Sequence, residues 1–288
     1  MNNQINILMS VNKKFLEHIE ELLYSLVNYT DKALKIYLMY VETELNNDDL
    51  EYIKKFVEGT NQASVEPVKF DVRALEGMPV TDNEGAFFGM EAYSRLFCAF
   101  KLPEDMERIL YLDADMICTG DIEELYNLDF DDKIWVAAPD NGIQEKDLNR
   151  LGLPLDYKYI NSGMLLINLK KLRTNYTERF IVEKIRENKD ILIYPDQDFV
   201  NKIFKDEIKV VSTKYNLIAK DVRYKDLDEK PLIIHYAGST KPWHDDVSRF
   251  EIEYIEPYYT AMRIQGENKK EKLEKLIEKH KEHGYNEN

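Results

Sequence analysis

Residues 5–41 read INILMSVNKKFLEHIEELLYSLVNYTDKALKIYLMYV. The first seven, INILMSV, form a short apolar run of the kind found in strands buried on both faces. From Lys13 the period changes. In KKFLEHIEELLYSLVNYT the residues Phe15, Leu16, Ile19, Leu22, Leu23 and Leu26 share one helical face. KIYLMYV (35–41) then returns to the strand pattern, which makes the whole stretch a strand–helix–strand unit. Downstream, NNDDLEYIKKFVEG reads as a helix capped by Asn47 or Asp48 and ended by Gly59. Further strand candidates are VKFDV (68–72), ILYL (109–112), WVAA (135–138), LLIN (165–168) and LIIHY (232–236). Strands alternating with helical patterns predict an α/β domain with a mainly parallel sheet. Polar, glycine-bearing loops at about 76–90 and 140–160 then fall over strand ends, where ligands bind in such folds.

Composition narrows the function. The chain has 288 residues, enough for a core that needs no staples, and no apolar stretch approaches the roughly 20 residues of a membrane span. Its start, MNNQINILMSVNKKF, lacks the pattern of a signal peptide. Two cysteines, Cys98 and Cys118, make no disulfide framework, so a reducing cytoplasm is expected, with room for peripheral contact at the inner face of the cell membrane. The formal charge of −15 disfavours nucleic acid and anionic lipid. The 11 glycines include no G-x-G, the nearest pair being Gly85 and Gly89 in GAFFG, so dinucleotide and P-loop fingerprints are absent. A phosphate ligand here needs a metal or side chains. The tail, ENKKEKLEKLIEKHKEHGYNEN, interleaves both charge signs and carries Leu273, Leu276, Ile277 and His280 on one stripe. It reads as a solvated terminal helix, with partner or membrane-surface contact as the other use. The expected division is 1–265 as the catalytic domain and 266–288 as the charged helical tail.

Four segments carry chemistry. RILYLDADMICTGDIEEL runs an apolar strand into Asp113-Ala114-Asp115, and Asp121 then opens a helix. In an extended segment residues i and i+2 face the same side, so two carboxylates meet where the strand ends. Such a pair suits Mg²⁺ or Mn²⁺, although an Asp at a strand end also serves as an ordinary cap. YINSGMLLINLKKL sets Asn161 and Ser162 before an apolar run, and YPDQDFVNKIF puts Asp196, Gln197 and Asp198 at a helix start. LIIHYAGSTKPW ends a strand with His235 and continues to Gly238, Lys241 and Trp243. His235 can supply imidazole to a carboxylate-bound metal, and Lys241, expected on an exposed loop, supplies positive charge to phosphate.

Together these segments resemble glycosyltransferase family 8, the retaining sugar transferases that include glycogenin and lipopolysaccharide galactosyl- and glucosyltransferases. The resemblance runs in motif order from about Ile5 to Trp243. LYLDADM is similar to the family's DxD motif, INSGMLLINL to its asparagine–small–glycine segment, PDQD to its acceptor-side motif, and HYAGSTKPW to its H-(Y/F)-x-G-x-x-K-P-W signature. The resemblance implies a GT-A type, Rossmann-like nucleotide-sugar-binding domain. It implies Mn²⁺ (or Mg²⁺) held by Asp113, Asp115 and His235 with the diphosphate of a UDP-sugar, and Gly238 and Lys241 on the phosphates. Arg95 in EAYSRLF matches an arginine that approaches the donor, with Ala114 and Ser162 among the donor-binding positions. Asn161, Asp196 and Gln197 match catalytic positions lining sugar and acceptor. Ser10, Asn12 and Phe15 fall where the family contacts uridine, Phe15 suited to stacking on the base. Asn12 stands where Asp is common and Lys14 where Asn is common.

The expected function is metal-dependent, retaining transfer of a hexose from UDP-glucose or UDP-galactose to a glycan, glycolipid or protein. Two other readings compete. Haloacid-dehalogenase-like phosphatases also place Asp-x-Asp after an apolar strand, but on the first strand of the fold, and leave HYAGSTKPW unexplained. A non-catalytic nucleotide-sugar-binding protein rests on Asn12 and Lys14 alone.

Overall fold

The computed structural model describes residues 4–78, 81–83, 86–220, 222–244 and 246–282. Gly85 and the last six residues of the charged tail lie outside the described residues. The strand–helix–strand unit forms as β1 (Gln4–Ser10), α1 (Ile19–Tyr29) and β2 (Ala33–Tyr40), with a 3₁₀ turn at Leu16–His18 ahead of the helix. Helix α2 (Asn47–Glu58) is capped by Asn46, ahead of both sequence candidates. Asn46 accepts from the amides of Asp48 and Asp49, and Asp49 bonds back to the Asn46 amide. Strand β3 (Ala63–Lys69) begins before the expected VKFDV segment. It is an edge strand, exposed on alternate residues and tolerant of Pro67, so polar residues hide its first half from an apolar scan.

The next elements are the short pair β4 (Thr81–Asn83) and β5 (Ala86–Phe88), helix α3 (Ser94–Phe97), β6 (Arg108–Leu112), β7 (Met116–Cys118) and α4 (Glu123–Tyr126). They are followed by β8 (Trp135–Ala137), α5 (Glu145–Leu151), β9 (Met164–Asn168), α6 (Leu169–Asn175), α7 (Glu178–Asn188) and α8 (Pro195–Ile203). Strands β10 (Ile208–Val210), β11 (Leu217–Ile218) and β12 (Ile233–His235) precede α9 (Ile252–Ile264) and α10 (Glu267–Glu282).

The main sheet has seven strands in the order β10-β8-β9-β6-β1-β2-β3, parallel except that β9 runs against both neighbours. Its central strands are apolar on both faces. Ile109 and Tyr111 of β6 enter one core while Leu110 and Leu112 enter the other, which explains the unbroken runs in the sequence. A second sheet, β11-β12-β7, takes over where β6 leaves off. Leu273 and Leu276 of α10 are buried in a third core with α9 and this small sheet, so the tail helix is packed along its apolar stripe rather than solvated all round. Lys269 of α10 pairs with the buried Glu20 and Glu21 of α1, at 2.6 Å and 3.1 Å. Among the described residues no helix is long and apolar enough to cross a membrane.

Candidate active site

The Asp113-Ala114-Asp115 segment is the bend between the two sheets. It forms a turn between β6 and β7 rather than a continued strand, so same-side projection does not bring its carboxylates together. Two backbone bonds clamp the turn: Asp113 N–H donates to Gly163 O (2.9 Å) and Tyr236 N–H donates to Asp115 O (3.0 Å). Ala114 is buried between them. His235, the last residue of β12, pairs antiparallel with Met116 at the start of β7. The result is one oxygen each from Asp113 and Asp115 and a ring nitrogen of His235, all within 4.8 Å of one another.

Gly163, before β9, permits this closeness. A Cβ there lies 2.4 Å from His235 Cε1 and 2.8 Å from Asp113 Oδ2, so any side chain displaces the cluster. On the other side Gly238 adopts φ +95°, a conformation that favours glycine, where the chain turns from β12 toward Lys241.

Cations flank both carboxylates. Asp113 Oδ1 accepts from Arg95 Nη2 (3.0 Å) and from the Tyr111 hydroxyl (2.5 Å). Burial raises the Asp113 pKa against the pull of Arg95. Asp115 responds oppositely: although burial pushes it up, the Lys241 ammonium holds its carboxyl well below the usual range. Lys241 is not the exposed loop lysine expected from sequence. It is 8% exposed, its ammonium contacts Asp115 Oδ2, and it donates to Tyr236 O at 2.8 Å. The loop folds inward because Trp243 stacks on His18, with ring centroids 3.6 Å apart and planes 6° apart. Burial, with Lys272 and Lys269 nearby, pushes the His18 pKa down to about 3, so a neutral ring faces the indole.

Asn161, Ser162, Asp196 and Gln197 gather on the far side of Arg95. Arg95 Nη1 donates to Ser162 O (2.7 Å) and lies 3.2 Å from Asp196 Oδ2. Gln197 Nε2 and Asn161 Nδ2 both donate to Asp140 Oδ2, at 3.0 Å and 3.2 Å. Asp198 serves the fold: its carboxylate accepts from Tyr159, Arg150 and the backbone N–H groups of Ile193 and Tyr194.

Ser10, Asn12 and Phe15 reach the same cleft from the end of β1. Ser10 Oγ donates to Glu91 O, and Asn12 Nδ2 donates to Glu91 Oε1 at 2.6 Å. An aspartate at position 12 would set like charges at that distance, which accounts for the asparagine. Asn12 Oδ1 accepts from the backbone of Lys14 and Phe15, so its amide is engaged on both sides. Phe15 packs edge-on to Trp243 (5.9 Å), with Lys241 Nζ 5.8 Å from its ring. Sequence reasoning missed Glu91, Tyr111, Asp140 and Asn216. Glu91 and Tyr111 sit inside the EAYSRLF and LYLDADM strings but at positions to which no role was given, whereas Asp140 and Asn216 lie outside any motif and only the fold brings them to the site.

Residues 6–247 match the sequence profile of glycosyl transferase family 8. The chain belongs to that family. Among similar proteins, the lipopolysaccharide 1,2-glucosyltransferase of Escherichia coli (strain K12) is 31% identical over 218 residues, 71% of this chain and 63% of that protein. General stress protein A of Bacillus subtilis (strain 168) is 24% identical over 276 residues, covering 90% and 93%. The chain spans about three-fifths of the length of the lipopolysaccharide 1,2-glucosyltransferases it matches. The crystal structure of the galactosyltransferase LgtC with donor and acceptor sugar analogs superposes with a TM-score of 0.77 at 21% identity, over 93% of this chain and 100% of that one. This family 8 chain therefore has the GT-A architecture expected of it. Its Asp-x-Asp follows the sixth strand, not the first, which removes the phosphatase reading.

Proposed function

We propose that residues 1–265 form a metal-dependent, retaining hexosyltransferase that moves glucose or galactose from a UDP-sugar to a glycan, glycolipid or protein acceptor. Helix α10, within the 266–288 tail, braces it. The observation that carries this reading is the convergence of Asp113, Asp115 and His235 within 4.8 Å of one another, with Lys241 on one side and Gln197 on the other. The donor set fits a divalent cation: two hard carboxylate oxygens, one imidazole nitrogen, and an Asp115 oxygen already in contact with positive charge. Mn²⁺ or Mg²⁺ held by these three residues would neutralise charge on the departing diphosphate.

The chain's own residues supply the remainder. Lys241 offers an ammonium to phosphate, which lets a −15 chain hold an anion. Phe15, with Ser10 and Asn12, lines the base end of the site, Phe15 edge-on to Trp243. Asp196 presents a carboxylate that stabilises positive charge developing at the anomeric carbon, and Gln197, its oxygen held by Ser162 and Asn161, shapes the sugar side of the site. Gln197 is a weak nucleophile, which favours attack by the acceptor hydroxyl from the leaving-group face. Both cysteines are buried and free, consistent with a cytoplasmic setting.

Lys241→Ala is expected to weaken UDP binding by about 1.5–3 kcal/mol, the usual worth of a charge-assisted contact. Calorimetry checks it, and an unchanged affinity removes the phosphate role. For the reaction itself, radiolabelled UDP-glucose and UDP-galactose are offered with Mn²⁺ and an acceptor panel. Proton NMR of early product should show α anomeric coupling; a β product overturns retention and the roles given to Asn161, Asp196 and Gln197.

A further inference from the structure

A continuous chain of side-chain amides joins Gln197 to His235. Gln197 Oε1 accepts from the Ser162 backbone N–H at 3.1 Å and from Asn161 Nδ2 at 3.0 Å. Asn161 Oδ1 accepts from the Gly163 backbone N–H and from Asn216 Nδ2, both at 2.9 Å. Asn216 Oδ1 meets His235 Nδ1 at 3.0 Å. None of these four side-chain-bearing residues is more than 8% exposed.

The direction of every bond is set by the backbone. A main-chain N–H can only donate, so Gln197 must turn its oxygen to Ser162 and Asn161 its oxygen to Gly163. The Asn161 oxygen also faces Asn216, which must therefore answer with its NH₂ group and leave its own oxygen for His235. Nδ1 of His235 accordingly carries the proton, and in the neutral ring Nε2 keeps its lone pair. Nε2 is the atom aimed at the acidic pair, 3.3 Å from Asp115 Oδ1 and 3.9 Å from Asp113 Oδ2. Register fixes the geometry further. Asn216 directly precedes β11, whose Ile218 pairs with His235 in parallel β12, and the Ala219 N–H donates to His235 O.

We propose that Asn216 is a positioning residue that holds His235 in the Nδ1–H tautomer with Nε2 presented to a divalent cation, and that through Asn161 it links this orientation to Gln197. The inference rests on the metal-dependent reading above and assigns a specific residue to it. Orienting partners of metal-bound histidines fix tautomer and ring direction, and removing one lowers metal affinity about 10–100-fold.

Two variants and two readouts test it on the full chain. Long-range proton–nitrogen correlation spectra of metal-free protein labelled at histidine nitrogen, with His235→Ala to assign the signal among the five histidines, report the tautomer directly. Free-Mn²⁺ paramagnetic resonance in the presence of UDP reports affinity. Wild type should show Nδ1–H at His235. Asn216→Ala should mix the tautomers and weaken Mn²⁺ binding about 10–100-fold. Asn216→Asp keeps an acceptor for Nδ1–H but has no NH₂ for Asn161. It should preserve the tautomer and hold Mn²⁺ affinity to within about threefold, while kcat falls and KM for the UDP-sugar stays put. Wild type that binds no Mn²⁺ overturns the metal reading itself. Wild type that binds Mn²⁺, beside an alanine variant unchanged in tautomer and affinity, overturns the role of Asn216 alone, as does a scrambled tautomer in the aspartate variant.

Discussion

Arg95→Leu should destabilise the protein by about 3–5 kcal/mol, the usual cost of removing one partner from a buried ionic cluster. Arg95 is 6% exposed and lies between two carboxylates, 3.0 Å from Asp113 and 3.2 Å from Asp196. Its guanidinium also covers the Tyr111 ring at 4.0 Å and donates to Ser162 O and Ala92 O. The field of Asp113 and Asp196 raises its pKa even though burial opposes the charge, so it stays protonated throughout the working range. Leucine fills part of the volume but strands both carboxylates, and Asp113 then meets Asp115 with less opposing charge. Urea unfolding measures the loss. A change below about 1 kcal/mol, the level of an exposed pair, removes Arg95 from its place as the tie between the acidic turn and α8.

The second large effect is on rate. Asp115→Asn should slow hexose transfer about a hundredfold or more, which corresponds to about 2.7 kcal/mol of transition-state stabilisation. The substitution keeps the shape of the side chain and removes its charge. The loss therefore falls on cation binding and on the grip of Lys241, not on packing. Steady-state transfer with Mn²⁺ measures the rate, and a thermal melt run beside it shows that the fold persists. Full activity after exhaustive chelation, or in the asparagine variant, excludes a metal held by these residues.

Much of this molecule could be read from its sequence, for identifiable reasons. The β1–α1–β2 unit was legible because strands apolar on both faces and a one-sided helix leave different periods in the chain. The acidic turn, INSG, PDQD and HYAGSTKPW were legible as local strings. Elements stabilised from outside were not. Strand β3 looked polar because its outer face is an open edge, and β7, β10 and β11 are short strands without the longer apolar run that marks β8 and β12. The convergence of Asp113 and Asp115 was anticipated on an extended segment, but a turn clamped by Gly163 and Tyr236 produces it. Lys241 looked exposed because nothing in its own segment announces that Trp243 will stack on His18, more than 200 residues earlier. Asn216 left no trace, since a lone asparagine gains its role only from β11 lying beside β12.

Helix α10 also sets an order of events during synthesis. It pairs Lys269 with Glu20 and Glu21 of α1 and buries Leu273 and Leu276 with α9, while Gln265 just before it bonds Glu21 across 244 residues of sequence. Helix α1 follows Phe15 after the Leu16–His18 turn, so this part of the molecule joins segments that lie 244 residues apart in sequence. A nascent chain shorter than about 265 residues holds Glu20 and Glu21 without Lys269 and leaves apolar surface of α9 uncovered. Domains generally fold as units, and contacts of such long range form late. The sheet can therefore assemble on the ribosome, but the third core closes only after translation has passed Leu276.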